Sequence, residues 1–138
     1  EQSLALSALS ALAHETRLAL VRLLLDAGPE GMAQGDIARA LDISASRLAF
    51  HLTLLEQARI VGARRESRHV FYAVDTANVG ALLSYLLNDC CKAHPDIAIA
   101  AARVTNSRAA GITPLSAGED LSGIDKVGVA DQILVRLI

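Results

Sequence analysis

The sequence predicts a mainly α-helical fold with a small β-hairpin, a winged helix-turn-helix. Three observations point to it. Two short helical segments meet at the tight turn Asp42-Ile43, two strand-like runs follow at once around a polar tip, and arginine is concentrated across that same stretch.

Apolar residues recur at helical spacing from Ser3 to Leu25, interrupted by the polar cluster His14-Glu15-Thr16-Arg17. This predicts a first helix ending near Leu12 and a second from about Glu15 to Asp26, stopped by Gly28-Pro29. After a short connection at Gly31, a third helix runs from Gln34 to Leu41 with Ile37 and Leu41 inward. Ser44 is placed to N-cap a fourth helix reaching about Gln57, because its hydroxyl accepts from an orphan amide. Leu48, Leu52 and Leu55 form that helix's buried stripe.

Branched and aromatic residues in Ile60 to Arg65 and His69 to Val74 flank the tip Glu66-Ser67-Arg68, the pattern of a hairpin. A fifth helix, Thr76 to about Lys92, carries the wide apolar face Val79, Leu82, Leu83, Leu86 and Leu87. His94-Pro95 is expected to end it. The domain division is therefore 1–95 for the winged helix-turn-helix body and 96–138 for a tail. In that tail Ile97 to Val104 suits a short helix, Asn106 to Lys126 reads as loop, and the apolar end Ile133 to Ile138 calls for a docking surface.

The chain has 138 residues, enough for one ordinary domain, and a net charge of −2 that does not favour nucleic acid overall. The charge is segregated, however. Ser44 to Val74 holds five arginines and two glutamates, a balance of +3, against −5 for the remainder. A local positive field of this kind is the footprint of phosphate contact. Ser44, Ser46, Arg47, Phe50 and His51 lie on the fourth helix, whose N-terminal end would enter a major groove. Arg47 has the planar fork that pairs with guanine O6 and N7, while Ser44 and Ser46 suit phosphate contact or capping. Arg68 at the hairpin tip would reach a minor groove, with Arg64 and Arg65 on the flanking backbone.

These residues resemble a known family. Ala11-Leu12-Ala13-His14-Glu15-Thr16-Arg17-Leu18 resembles the LAHPTRL opening of the ArsR/SmtB repressors. Gly35-Asp36-Ile37-Ala38 resembles their third helix, Ser44 to Leu55 with His51-Leu52 their recognition helix, and Arg64 to Tyr72 their wing. The resemblance covers about residues 4 to 95, with Glu15 where proline is usual and Ser67 where glycine is usual. It implies a homodimer through the first and fifth helices, with Leu4, Leu6, Leu9 and Leu12 facing Val79 to Leu87. It also implies a near-palindromic double-stranded operator with half-sites about one helical turn apart.

The cysteines, Cys90 and Cys91, are neighbours, and bridging neighbours is strained, so they are no structural framework. Free thiols fit a reducing, cytoplasmic setting. The pair resembles the site of the arsenite- and antimonite-responsive branch of the family, with Ile97 near where a third cysteine is expected. The resemblance implies a repressor that needs no cofactor and releases DNA when trivalent arsenic or antimony binds. His94, or a thiol from outside the chain, is a candidate for a further ligand. Neighbouring side chains on a regular helix diverge by about 100°, so the thiols converge only where the backbone departs from it. A thiol-redox repressor and a thiol metal-buffering protein stand as alternatives.

No apolar run approaches the ~18 residues of a membrane span, and the N-terminus lacks the basic leader and cleavage site of a signal peptide. No catalytic triad, glycine-rich phosphate loop or metal triad is present in the pattern, so an enzyme is not expected.

Overall fold

The computed structural model describes residues 2–109. Helix α1 spans Gln2–Leu12 and α2 spans Glu15–Ala27, with a 98° bend between them. The bend has a local cause. His14 sits in extended backbone, and its Nδ1 accepts the Thr16 amide at 3.1 Å, capping α2 where the chain has left α1. Gly28, at φ +75°, closes α2 by donating its amide to the Leu25 carbonyl.

Helix α3 covers Gln34–Leu41 and α4 covers Ala45–Gln57, joined through Asp42 in the left-handed region at φ 52°. Ser44 is the N-cap of α4, its Oγ accepting the Arg47 amide at 3.3 Å. The helix-turn-helix thus has the boundaries its capping chemistry predicts. Inside it, Leu20 and Leu24 of α2, Ile37 of α3 and Leu48, Leu52 and Leu55 of α4 are fully buried, joined by Ile60. Truncating any one of these to alanine would remove about 2–5 kcal/mol of stability.

The hairpin consists of β2 (Val61–Glu66) and β3 (His69–Val74), in antiparallel register from Val61↔Val74 to Glu66↔His69. A third strand, β1 (Met32–Ala33), pairs with the other edge of β3 through Met32↔Tyr72 and Ala33↔Phe71, giving the order β1-β3-β2. The sequence reading treats that segment as a plain connection, because two residues cannot display an alternating pattern. Gly31 makes the pairing possible. It sits at φ +74°, and a Cβ there would lie 2.2 Å from the Tyr72 carbonyl oxygen.

Helix α1 buries its small residues, Ala5, Ala8 and Ala11, and leaves Leu4, Leu6 and Leu9 exposed. Helix α5 is Thr76–Tyr85, shorter than the fifth helix expected to reach Lys92. It buries Leu82 and exposes Leu83. One compact unit ends at Tyr85 and a second begins at Leu86.

The second unit opens with a π-helix, Leu86–Cys90, closed by the Cys91 amide donating to the Leu86 carbonyl five residues back at 2.9 Å. Over five residues an apolar pattern cannot tell this wider helix from an α-helix. Lys92 and Ala93 then take left-handed backbone at φ 54° and 49°, and these residues end the helix rather than Pro95. Pro95 instead begins α6, Pro95–Ala109, at the first helical position where its missing N–H is harmless. The helix expected over Ile97 to Val104 is therefore longer at both ends, and Asn106–Ala109, expected as loop, belong to it. The rest of the expected loop to Lys126 and the apolar end Ile133 to Ile138 lie outside the described residues.

Candidate nucleic-acid interface

The face of α4 opposite its leucine stripe carries Ser46, Arg47, Ala49 and Phe50, all exposed. Phe50 keeps 60% of its surface open, unusual for a phenylalanine on a helix with a core side available. The Ser44 and Ser46 hydroxyls lie 3.3 Å apart at the helix start. Among the described residues no ion pair engages Arg47. Its guanidinium is therefore available to an acceptor outside the protein.

His51 stands apart from the other residues expected to face DNA. It is only 4% exposed, and its Nδ1 lies 3.2 Å from Nη1 of Arg17. A guanidinium only donates, so Nδ1 accepts and the neutral ring carries its hydrogen on Nε2. Burial pushes the His51 pKa down, and the nearby His14, Arg17 and Arg47 push in the same direction. Arg17, itself buried, also donates through Nε to the Ala11 carbonyl at the end of α1. The His14 ring packs 4.8 Å from His51, and Phe50 meets His51 edge-on at 5.4 Å. One guanidinium and two imidazoles thus tie the end of α1 and the start of α2 to the reading helix.

The sequence reading took Arg17 as part of a polar interruption. The signal that places it is periodicity. Arg17, Leu20, Val21 and Leu24 recur at i, i+3, i+4 and i+7, so Arg17 lies on the buried stripe of α2.

On the wing, strand alternation separates Arg64 from Arg65. Arg64 shares a face with Phe71, its cross-strand neighbour, and its guanidinium stands 5.2 Å from that ring. It pairs with Glu66 and with Glu30 at 3.6 Å, and donates to the Glu30 carbonyl at 3.1 Å. Arg65 points to the opposite face beside Tyr72, where its charge works against the burial that raises the Tyr72 pKa. Arg68 lies at the exposed tip, after Ser67 at φ 55°. Among the described residues neither Arg65 nor Arg68 enters an ion pair. The two arginines expected to flank the tip together are thus unequal, Arg64 paired with Glu30 and Glu66 and Arg65 in no ion pair among the described residues.

Cys90 is the last residue of the π-helix and Cys91 follows it, the first exposed and the second half-buried. Burial raises the Cys91 pKa, and the neighbouring Cys90 raises it further. His94 follows the left-handed pair Lys92-Ala93. Among the described residues no three His, Cys, Asp or Glu side chains gather into a metal-binding group.

The arrangement has known counterparts. A helix-turn-helix domain family matches residues 12–61. Over 86 residues the chain is 33% identical to the transcriptional activator HlyU of Vibrio cholerae serotype O1, covering 62% of this chain and 77% of that protein. The chain belongs to the winged helix-turn-helix transcriptional regulators. The structure of reduced HlyU from Vibrio cholerae matches with a TM-score of 0.50 at 29% identity, over 64% of this regulator and 92% of that chain. A homodimeric winged helix-turn-helix domain from Mycobacterium bovis, described as that of a possible ArsR-family regulator, matches with a TM-score of 0.52 at 25% identity. That match covers 67% of this chain and 86% of the other. The transcriptional repressor SdpR of Bacillus subtilis is 29% identical over 66 residues, 48% of this regulator and 73% of SdpR. These relatives act in transcription, a non-catalytic role. Among the described residues no single helix is long and apolar enough to cross a membrane.

Proposed function

We propose that this regulator binds a near-palindromic DNA operator as a homodimer, represses transcription there, and is released when a trivalent arsenic or antimony compound binds Cys90 and Cys91. The observation that carries the DNA reading is the set of exposed groups on one helix and one hairpin, Arg47 and Phe50 on α4 and Arg65 and Arg68 on the wing, with none of the three arginines in an ion pair among the described residues. Arg47 reads guanine in the major groove, while Ser44 and Ser46 with the wing arginines fix register on phosphate.

The homodimeric relative from Mycobacterium bovis supports a twofold pair. Leu6 and Leu9 of α1 and Leu83 of α5, all exposed in the single chain, supply apolar surface for it. Two reading helices related by that axis demand half-sites about 34–36 Å apart.

Support for the effector is chemical. Thiolates are soft ligands suited to thiophilic ions. A helix closed by bonds from residue i+5 has more than 3.6 residues per turn, so neighbouring side chains diverge by less than about 100°. Two thiols suit an arsenical with one organic substituent. Each S–H replaces one As–OH, two As–S bonds form, and two waters leave. Binding to the non-DNA conformation then shifts the population away from the operator; a tenfold loss of affinity needs about 1.4 kcal/mol of differential binding.

Titrating the operator-bound dimer with a methylated trivalent arsenical tests this, using wild type, Cys90→Ser and Cys91→Ser. Release by the wild type alone is expected. Equal release by both variants places the effector elsewhere. A second reading, release on thiol oxidation, draws on the reduced state in which the HlyU relative was described. An oxidant that releases the wild type where the arsenical does not would establish it.

A further inference from the structure

We propose that Phe50 is a specificity-determining residue that reads a thymine methyl group next to the guanine read by Arg47. The inference deepens the operator-binding reading and rests on it. Phe50 follows Arg47 by one turn on the exposed face of α4, so the two side chains project from neighbouring points of the same face. Their separation along the helix axis is about 4.5 Å, comparable with the ~3.4 Å between stacked bases, which places their contacts on the same or adjoining base pairs.

The Phe50 ring is not a loose surface side chain. It meets the His51 ring edge-on at 5.4 Å and an interplanar angle of 64°, and His51 is fixed by Arg17 and His14. Phe50 and His51, together with His14, Ser46 and Arg47, line an open cleft at the start of the reading helix. The cleft therefore has an apolar wall set beside a cation and a hydroxyl. In the major groove the thymine C5 methyl is the apolar feature of base-pair edges, and a phenylalanine ring is a side chain that contacts it. The polar components of the cleft face the groups that surround such a methyl, a neighbouring guanine edge and the phosphate backbone.

The test begins with a duplex selected by the full-length wild-type protein from a random library. Each thymine of the selected half-site is then replaced, one at a time, by deoxyuridine, which lacks only the methyl. Burying one methyl against a ring corresponds to about a three- to fivefold change in affinity. We expect that loss at one thymine beside the selected guanine for the wild type, none at that position for Phe50→Ala, and partial retention for Phe50→Leu. Circular dichroism checks that the variants fold. A Phe50→Ala protein that keeps the full methyl dependence overturns the proposal, as does a wild type for which no deoxyuridine substitution matters. Either result leaves operator binding intact. A wild type that selects no sequence at all overturns both.

Discussion

Replacing Arg17 with methionine would test whether the guanidinium clamp holds the reading helix. Methionine fills most of the same volume and keeps helix propensity, but it cannot donate a hydrogen bond. Two buried acceptors would lose their donor, the Ala11 carbonyl and His51 Nδ1. A buried polar group left unsatisfied costs about 1–3 kcal/mol, and removing a buried cation recovers part of that, so the net loss is about 2–4 kcal/mol. Against a typical total of about 5–15 kcal/mol this is a large fraction, readily measured by urea unfolding. The His51→Phe variant and the double variant complete a cycle. Because each single change orphans the other residue, the double variant should lose clearly less than the sum of the singles. A loss below about 0.5 kcal/mol for Arg17→Met, with unchanged DNA affinity, would refute the clamp.

Three further outcomes follow from the same geometry. Arg65→Ala and Arg68→Ala should each reduce the slope of log affinity against log salt by about 0.9, whereas Arg64→Ala, already paired with Glu30 and Glu66, should change it far less. An equal effect of all three, in salt-dependent titrations of one duplex, would contradict the division of the wing. The folded-state pKa of His51 is lowered, so the unfolded chain takes up the proton first as pH falls. The stability that His51 contributes is therefore complete above its unfolded value of about 6.5 and is lost below it. The urea midpoint of wild type should fall more between about pH 7.5 and 5.5 than that of His51→Phe; parallel profiles would contradict this. Gly31→Ala combines left-handed backbone with a Cβ at 2.2 Å from the Tyr72 carbonyl, and should cost at least about 2 kcal/mol by thermal or urea unfolding.

What the sequence makes legible here is what repeats or caps. The α3 and α4 boundaries follow from Ser44, the left-handed turn at Asp42 and leucines at helical spacing, each local information. The hairpin shows itself by alternation and a polar tip. Strand β1 does not, because two residues have no period and its pairing depends on a close approach at Gly31 that only the folded chain creates. The π-helix is hidden for a related reason, since leucines at Leu86 and Leu87 satisfy either helix type. In the interface, exposure at Arg47 and Phe50 is readable from the opposing stripe. So is the inward turn of His51, which with Leu48, Leu52 and Leu55 recurs at i, i+3, i+4 and i+7; its Arg17 partner and the captive state of Arg64 are not, because each is decided by a residue 34 positions away in the chain.

The most direct test of the DNA-reading geometry is the specificity ratio of Arg47→Ala. Affinity would be measured at one salt concentration for the selected duplex and for the same duplex with the proposed guanine changed. Wild type should discriminate by about 1–3 kcal/mol at that base pair, roughly 5- to 150-fold, and Arg47→Ala should bind both duplexes alike. Undiminished discrimination by Arg47→Ala would contradict the assignment of α4 as the reading helix through this residue.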